Sequence, residues 1–170
     1  FSMPGLSLGT SHETTPLGTG GAVLSAIRGK TPRDSRPWFV CNGDSLFLTA
    51  LDPIYDALSE DTAACLFGVS VQDASRFGTL VLKESRLVEF AEKRPGAGTV
   101  NSGAYLLRAS ALNGFPVGRP LSLERDIFPK MLADGASIEV VVANEPFLDI
   151  GTPESFLRAS DFVRRHSDRF

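Results

Sequence analysis

Four apolar residues, Trp38-Phe39-Val40-Cys41, run together and stop at Asn42-Gly43-Asp44. An unbroken apolar run of this length predicts a strand buried on both faces, as in the middle of a parallel sheet. The longer run TAACLFGVSV, from Thr62 to Val71, predicts a second strand of the same kind. Between and after them lie segments with helical entry signals: residues 20–28 behind Thr19, 51–58 entered through Asp52-Pro53, and 153–165 behind Thr152-Pro153. Residues 122–133 also read as a helix, with Pro129 kinking or splitting it. Residues 78–83 and 86–91 flank Glu84-Ser85 at hairpin spacing. Further extended segments are expected at 102–107, 138–143 and 146–150, and 1–18 and 31–37 read as loop. Strands alternating with helices predict a three-layer α/β sandwich around a mostly parallel sheet, with one antiparallel ribbon inserted.

Composition narrows the partners. At 170 residues, with 42% hydrophobic and 22% charged residues, the chain suits a single domain over 1–170 with a substantial core. Its net charge of −3 gives no basic surface for a nucleic acid. No stretch reaches the ~18 apolar residues of a membrane span, and the first residues lack the basic and apolar regions of a signal peptide. The expected location is therefore cytoplasmic. Cys41 and Cys65, each in an apolar run, are expected to be reduced and buried.

Two carboxylates stand where a sheet enzyme would want them. Ligands of open α/β sheets sit beyond the carboxyl ends of strands, and Asp44 follows the Trp38 run directly. Asp149 lies in the apolar stretch Phe147-Leu148-Asp149-Ile150, just before a helix entrance. Capping explains Thr152 and Pro153, but not an acid inside an apolar segment. Two such aspartates can converge on one divalent cation that bridges phosphates, and hard oxygen ligands suit Mg²⁺. Gly43 lets a phosphate or sugar approach the backbone, although Asn-Gly-Asp is also ordinary turn chemistry. The turn Pro16-Leu17-Gly18-Thr19-Gly20-Gly21 opens a helix and can present N–H groups to an anion or lie against a base. It fits neither a Walker A loop nor a dinucleotide fingerprint. Glu92 and Lys93, after Phe90-Ala91, could meet sugar hydroxyls and a phosphate, or form an exposed ion pair. Asn101-Ser102-Gly103 could add amide and backbone contacts to the same ligand.

In order, PLGTGGAV, FVCNGD, RFG, FAEKRP, NSG, SLERDIFP and FLDIGTPESF span residues 16–156. The set resembles the sugar-1-phosphate nucleotidylyltransferases, most of all the guanylyltransferases acting on mannose 1-phosphate and D-glycero-D-manno-heptose 1-phosphate. The resemblance implies transfer of a nucleoside monophosphate, GMP by preference, from a nucleoside triphosphate to a sugar 1-phosphate. It implies Mg²⁺ held by Asp44 and Asp149, and a base and ribose wall from Pro16, Gly18, Thr19 and Gly43. Phe77 and Gly78 would form the sugar wall, where many relatives carry Tyr-Gly. Glu92, Lys93, Asn101, Ser102 and Gly103 would complete the sugar-phosphate site, with Lys93 joining the two aspartates in catalysis. The SLERD segment would pack beneath the site in a structural role.

The family's opening strand, its glycine-rich arginine-bearing loop and a following lysine have no counterpart here. The expectation is a chain that starts where that strand-loop-helix region is already finished, and one feebly active or inactive by itself. Two other readings stay open: a non-catalytic module that binds a sugar phosphate or nucleotide sugar on the same fold, and a glycosyltransferase with a related sheet. Against the latter, Asn42-Gly43-Asp44 offers one carboxylate where an Asp-x-Asp pair is usual. The sequence leaves the base, the sugar and the oligomeric state undetermined.

Overall fold

The computed structural model describes residues 8–27, 30, 36–91 and 95–169. Its strands are β1 (Trp38–Cys41), β2 (Ser45–Phe47), β3 (Thr62–Val71), β4 (Thr79–Lys83), β5 (Arg86–Ala91), β6 (Gly98–Leu107), β7 (Ser137–Ala143) and β8 (Phe147–Asp149). Its α-helices are α1 (Gly18–Ile27), α2 (Asp52–Asp56), α3 (Phe128–Ala133), α4 (Pro153–Leu157) and α5 (Ala159–Arg165). Six strands form one sheet in the order β1-β6-β3-β7-β5-β4, and β2 pairs with β8 in a second, two-stranded sheet.

β3 behaves as its apolar run predicts. Ala64 and Leu66 enter the main core, with Leu24 of α1, Ile127, and Phe128 and Met131 of α3. The alternate residues Cys65 and Phe67 pack on the opposite face against Ile54 of α2. Period-2 alternation thus serves two apolar layers, and helices cover both faces of the sheet.

The expected strand directions do not hold. β3–β7 is the one parallel pairing among the described strands; β1–β6, β3–β6, β4–β5, β4–β6 and β5–β7 are all antiparallel. An apolar run reports burial, not direction. Direction follows from connections, and a parallel neighbour needs a crossover of roughly a dozen residues or more. The two-residue turn at Glu84-Ser85 cannot supply one. Nor is β1 central: it lies at the end of the sheet order, and its exposure alternates, with Phe39 and Cys41 outward. One face of β1 packs on the core through Val40. The other faces solvent, so Cys41 is exposed, contrary to expectation, whereas Cys65 is fully buried.

Pro129 splits the expected helix 122–133. The Ile127 N–H donates to Ser122 O at 3.0 Å, a π-type bond, and Leu123–Ile127 is wound as one π turn before α3 takes over. Proline lacks the N–H that would continue the ladder, so a wider turn absorbs the defect. The terminal helix divides as well, into α4 and α5. α4 is entered through a capping box in which the Thr152 hydroxyl accepts from Ser155 N at 3.2 Å.

Candidate active site

The aspartates come together through the small sheet. β2 follows Asp44 and pairs antiparallel with β8, placing Ser45 opposite Asp149. The Ile150 N–H then donates to Asp44 O at 2.8 Å, closing the ladder beyond the strand ends. Gly151 shows how near the two carboxylates lie. A Cβ built on it would sit 3.0 Å from Asp149 Oδ1 and 3.3 Å from Asp44 Oδ2. Both oxygens therefore fall within 3.3 Å of one point, which the bare glycine leaves open. The Gly151 N–H donates to Asp149 Oδ1 at 2.7 Å and fixes that side chain's direction. Among the described residues no group of three or more His, Cys, Asp or Glu could hold a metal. A carboxylate pair suits a cation that takes its remaining ligands from water and from substrate phosphates, which is the habit of Mg²⁺.

A cleft of about 940 Å³ is lined by residues other than the two aspartates. Its walls include Gly18, Thr19, Phe77, Gly78 and Asn101, drawn from three expected motifs, together with Ser122, Glu124 and Arg125. One contact links a cleft residue to the strand that carries Asp149, and a backbone bond anchors the turn before Asp44. The Phe77 ring lies 6.4 Å from that of Phe147, two residues before Asp149. The Asn42 N–H donates to Gly103 O at 2.8 Å, tying the turn before Asp44 to β6.

β6 carries three expected residues, and an irregularity sends them to different places. Leu66 pairs with Tyr105 but Gly68 with Asn101, so the β6 backbone bulges between them. Gly103 takes φ +79° there, and a Cβ on it would fall 2.5 Å from Asn42 Nδ2. Asn101 consequently faces the cleft, Ser102 is buried, and Ser102 and Gly103 line a separate pocket of about 220 Å³ with Asn42 and Phe67. Pro16 and Gly43 are exposed and line neither space. Glu92 and Lys93 lie outside the described residues.

The glycine-rich turn does something other than offering its N–H groups. Gly20 N and Gly21 N both donate to Leu121 O, at 2.8 and 3.1 Å. A Cβ on Gly21 would lie 2.5 Å from Arg119 O, and one on Gly18 2.7 Å from Leu121 O. The glycines are small so that α1 can press its entry against the backbone of 119–121, and these two amide donors are already spent.

Glu124 is the residue that sequence reasoning underrated. Its Oε2 accepts from the hydroxyls of Ser122 at 2.8 Å and Thr19 at 3.1 Å, and its Oε1 accepts from Tyr105 at 2.9 Å. The Tyr105 oxygen in turn accepts from Asn101 Nδ2 at 2.7 Å. Burial, then the negative charge of Glu124, push the Tyr105 phenol well above its ordinary range; Asp44 adds to the same effect. Asp44 therefore lies within electrostatic reach of this network. An acid two residues past a capping serine looks like helix-entry chemistry, and no local signal distinguishes a cleft residue from a cap.

The structure is thus a mixed α/β sheet with helices on both faces, two carboxylates converging at strand ends, and a cleft lined by Thr19, Asn101 and Glu124 among others. The chain belongs to the nucleotidyl transferase family, whose model matches residues 3–166. It is 37% identical, over 94% of its length, to a mannose-1-phosphate guanylyltransferase of Mycobacterium tuberculosis, and covers 45% of that relative. It is 29% identical to the D-glycero-alpha-D-manno-heptose 1-phosphate guanylyltransferase of Aneurinibacillus thermoaerophilus, covering 95% of this chain and 70% of that one. Among solved structures it is similar to HddC of Yersinia pseudotuberculosis complexed with GMP-PN, at 30% identity and a TM-score of 0.74, over 88% of this chain and 64% of the other. The chain thus spans less than half of the length of most curated relatives it matches, 42–45%, and 62–64% of the similar solved structures. No helix of the described residues is long and apolar enough to cross a membrane.

Proposed function

We propose that this chain serves the transfer of GMP from GTP to a hexose or heptose 1-phosphate, giving a nucleotide sugar and pyrophosphate. One observation carries the reading: the Asp44 and Asp149 oxygens meet within 3.3 Å of a single point. The likeness to guanylyltransferases and to a GMP-PN complex supports guanine as the base. Mannose and D-glycero-D-manno-heptose are the candidate sugars.

Asp44 and Asp149 would hold Mg²⁺, which when bound neutralises charge on the nucleotide phosphates. The reaction is an in-line displacement. A phosphate oxygen of the sugar 1-phosphate forms a bond to the α-phosphorus as the bond to the bridging oxygen breaks, and pyrophosphate leaves with that electron pair. No protein nucleophile is required, so the residues contribute by positioning and by charge. Gly18 and Thr19 would flank the nucleoside. Phe77, Gly78 and Asn101 would bound the sugar, with Ser102 and Gly103 shaping the bulge that aims Asn101. Glu92 is assigned to the sugar hydroxyls and Lys93 to the phosphate. Pro16 and Gly43 keep their assignment to the nucleotide.

Pyrophosphate release from GTP, measured with mannose 1-phosphate and with the heptose 1-phosphate, tests the proposal on the complete gene product. Asp44→Asn and Asp149→Asn should each lower turnover at least about a hundredfold, since either leaves a divalent ion one carboxylate. Turnover unchanged in both variants would remove the site from the reaction.

A further inference from the structure

Resting on that reading of the cleft, we propose that Glu124 is a positioning residue that fixes the nucleoside wall and the sugar wall relative to each other. The two walls come from segments distant in sequence. Thr19 stands in the first turn of α1, and Asn101 stands on β6 before the bulge. Their hydrogen-bonded link runs through one carboxylate: Thr19 hydroxyl to Oε2, then Oε1 to Tyr105 and Tyr105 to Asn101.

Each joint is constrained in a way that makes the carboxylate hard to replace. The Thr19 oxygen also accepts from Leu123 N at 2.9 Å, so its proton is directed at Glu124. The Ser122 oxygen likewise accepts from Arg125 N at 3.1 Å while its hydroxyl donates to Glu124. Tyr105 is fully buried, and its oxygen accepts from the amide of Asn101, so its proton too is left for Glu124. Asn101 is oriented from its other end, where Oδ1 accepts from Gly103 N at 3.1 Å. All three hydroxyls are donors, and an ionised carboxylate is a side chain that accepts from all of them at once. Charge-assisted hydrogen bonds are roughly twice as strong as neutral ones. The carboxylate has about four acceptor sites, so three donors leave one, and Glu124 itself lines the cleft.

The consequence is specific. Loss of the Glu124 charge should loosen both walls together, whereas loss of the Tyr105 hydroxyl should release the sugar wall and leave Thr19 held. The experiment is calorimetric titration of the full-length protein with Mg²⁺-GTP and, separately, with mannose 1-phosphate, for wild type, Glu124→Gln and Tyr105→Phe. Glu124→Gln is expected to weaken both ligands about tenfold. Tyr105→Phe is expected to weaken mannose 1-phosphate three- to tenfold, with GTP affinity within about twofold of wild type. Glu124→Gln weakening one ligand alone would overturn the proposal, because that is the signature of direct contact with that ligand. A lowered melting temperature with both affinities kept would also overturn it, since Glu124 would then be structural. If Glu124→Gln does not fold, Tyr105→Phe decides: equal losses for both ligands refute the one-sided link. Wild-type protein binding neither ligand would overturn the transfer reading itself, and this role with it.

Discussion

Gly151→Ala separates the proposed site from the fold that carries it. Gly151 is not among the glycines with positive φ, so alanine can adopt its backbone conformation without strain. Reduced freedom of the unfolded chain alone predicts a stability gain of about 0.4–1 kcal/mol, a melting temperature unchanged or raised by up to roughly 3 °C. The site should respond in the opposite sense. The new methyl carbon would lie 3.0 Å from Asp149 Oδ1, closer than an ordinary carbon–oxygen contact, and 3.3 Å from Asp44 Oδ2. Mg²⁺ needs oxygens at about 2.0–2.1 Å in near-ideal octahedral geometry, and a methyl seated against both carboxylates takes part of that shell. A displaced Asp149 would also disturb the 2.7 Å bond from Gly151 N. The expected loss is at least about tenfold in divalent-ion affinity, near 1.4 kcal/mol. Free Mn²⁺ followed by electron paramagnetic resonance in the presence of GTP measures it, with Asp149→Asn as the reference for a broken site. Wild-type affinity in Gly151→Ala, with Asp149→Asn impaired, would show that the ion does not use the space between the two oxygens. Wild-type affinity in both would dismiss the pair as its ligands.

Other outcomes are fixed by single residues. Gly103→Ala should destabilise the fold by at least about 1–2 kcal/mol, the cost of a left-handed backbone, and force Asn42 aside; adding Asn42→Ala should restore only the steric part, as read by urea unfolding. Ellman's reagent should titrate one thiol per native chain, at exposed Cys41, and two in denaturant, when Cys65 is uncovered. Burial pushes the Cys65 thiol from 9.0 up to about 12. The unfolded chain loses this proton first, so stability should decline as pH rises from about 9 towards 12, and Cys65→Ala should flatten that decline. In a Tyr55→Phe background Tyr105 is the sole tyrosine, and ultraviolet titration should find its phenol ionising well above pH 10; Glu124→Gln should lower that midpoint by removing a nearby negative charge.

What the sequence determined by itself is what a few neighbouring residues can enforce. The ten-residue apolar run of β3 had to be a strand covered on both faces, because leaving either face wet would expose most of its side chains. Glu84-Ser85 had to turn between β4 and β5, and Thr152-Pro153 had to open a helix, since caps and tight turns are short-range chemistry. Asp149 was legible as an acid inside an apolar segment and Asp44 as an acid directly after an apolar run. Tertiary structure alone decided strand direction, the place of β1 at the end of the described sheet, and the uncovered face of β1 that exposes Cys41, because an apolar pattern records burial without naming a neighbour. It also decided that the glycines after Leu17 serve backbone packing on residues 119–121, and that the Glu124 carboxylate accepts from both Thr19 and Tyr105. Those facts depend on contacts between residues far apart in the chain, where hydrogen-bond partners are chosen by the fold and leave no local trace.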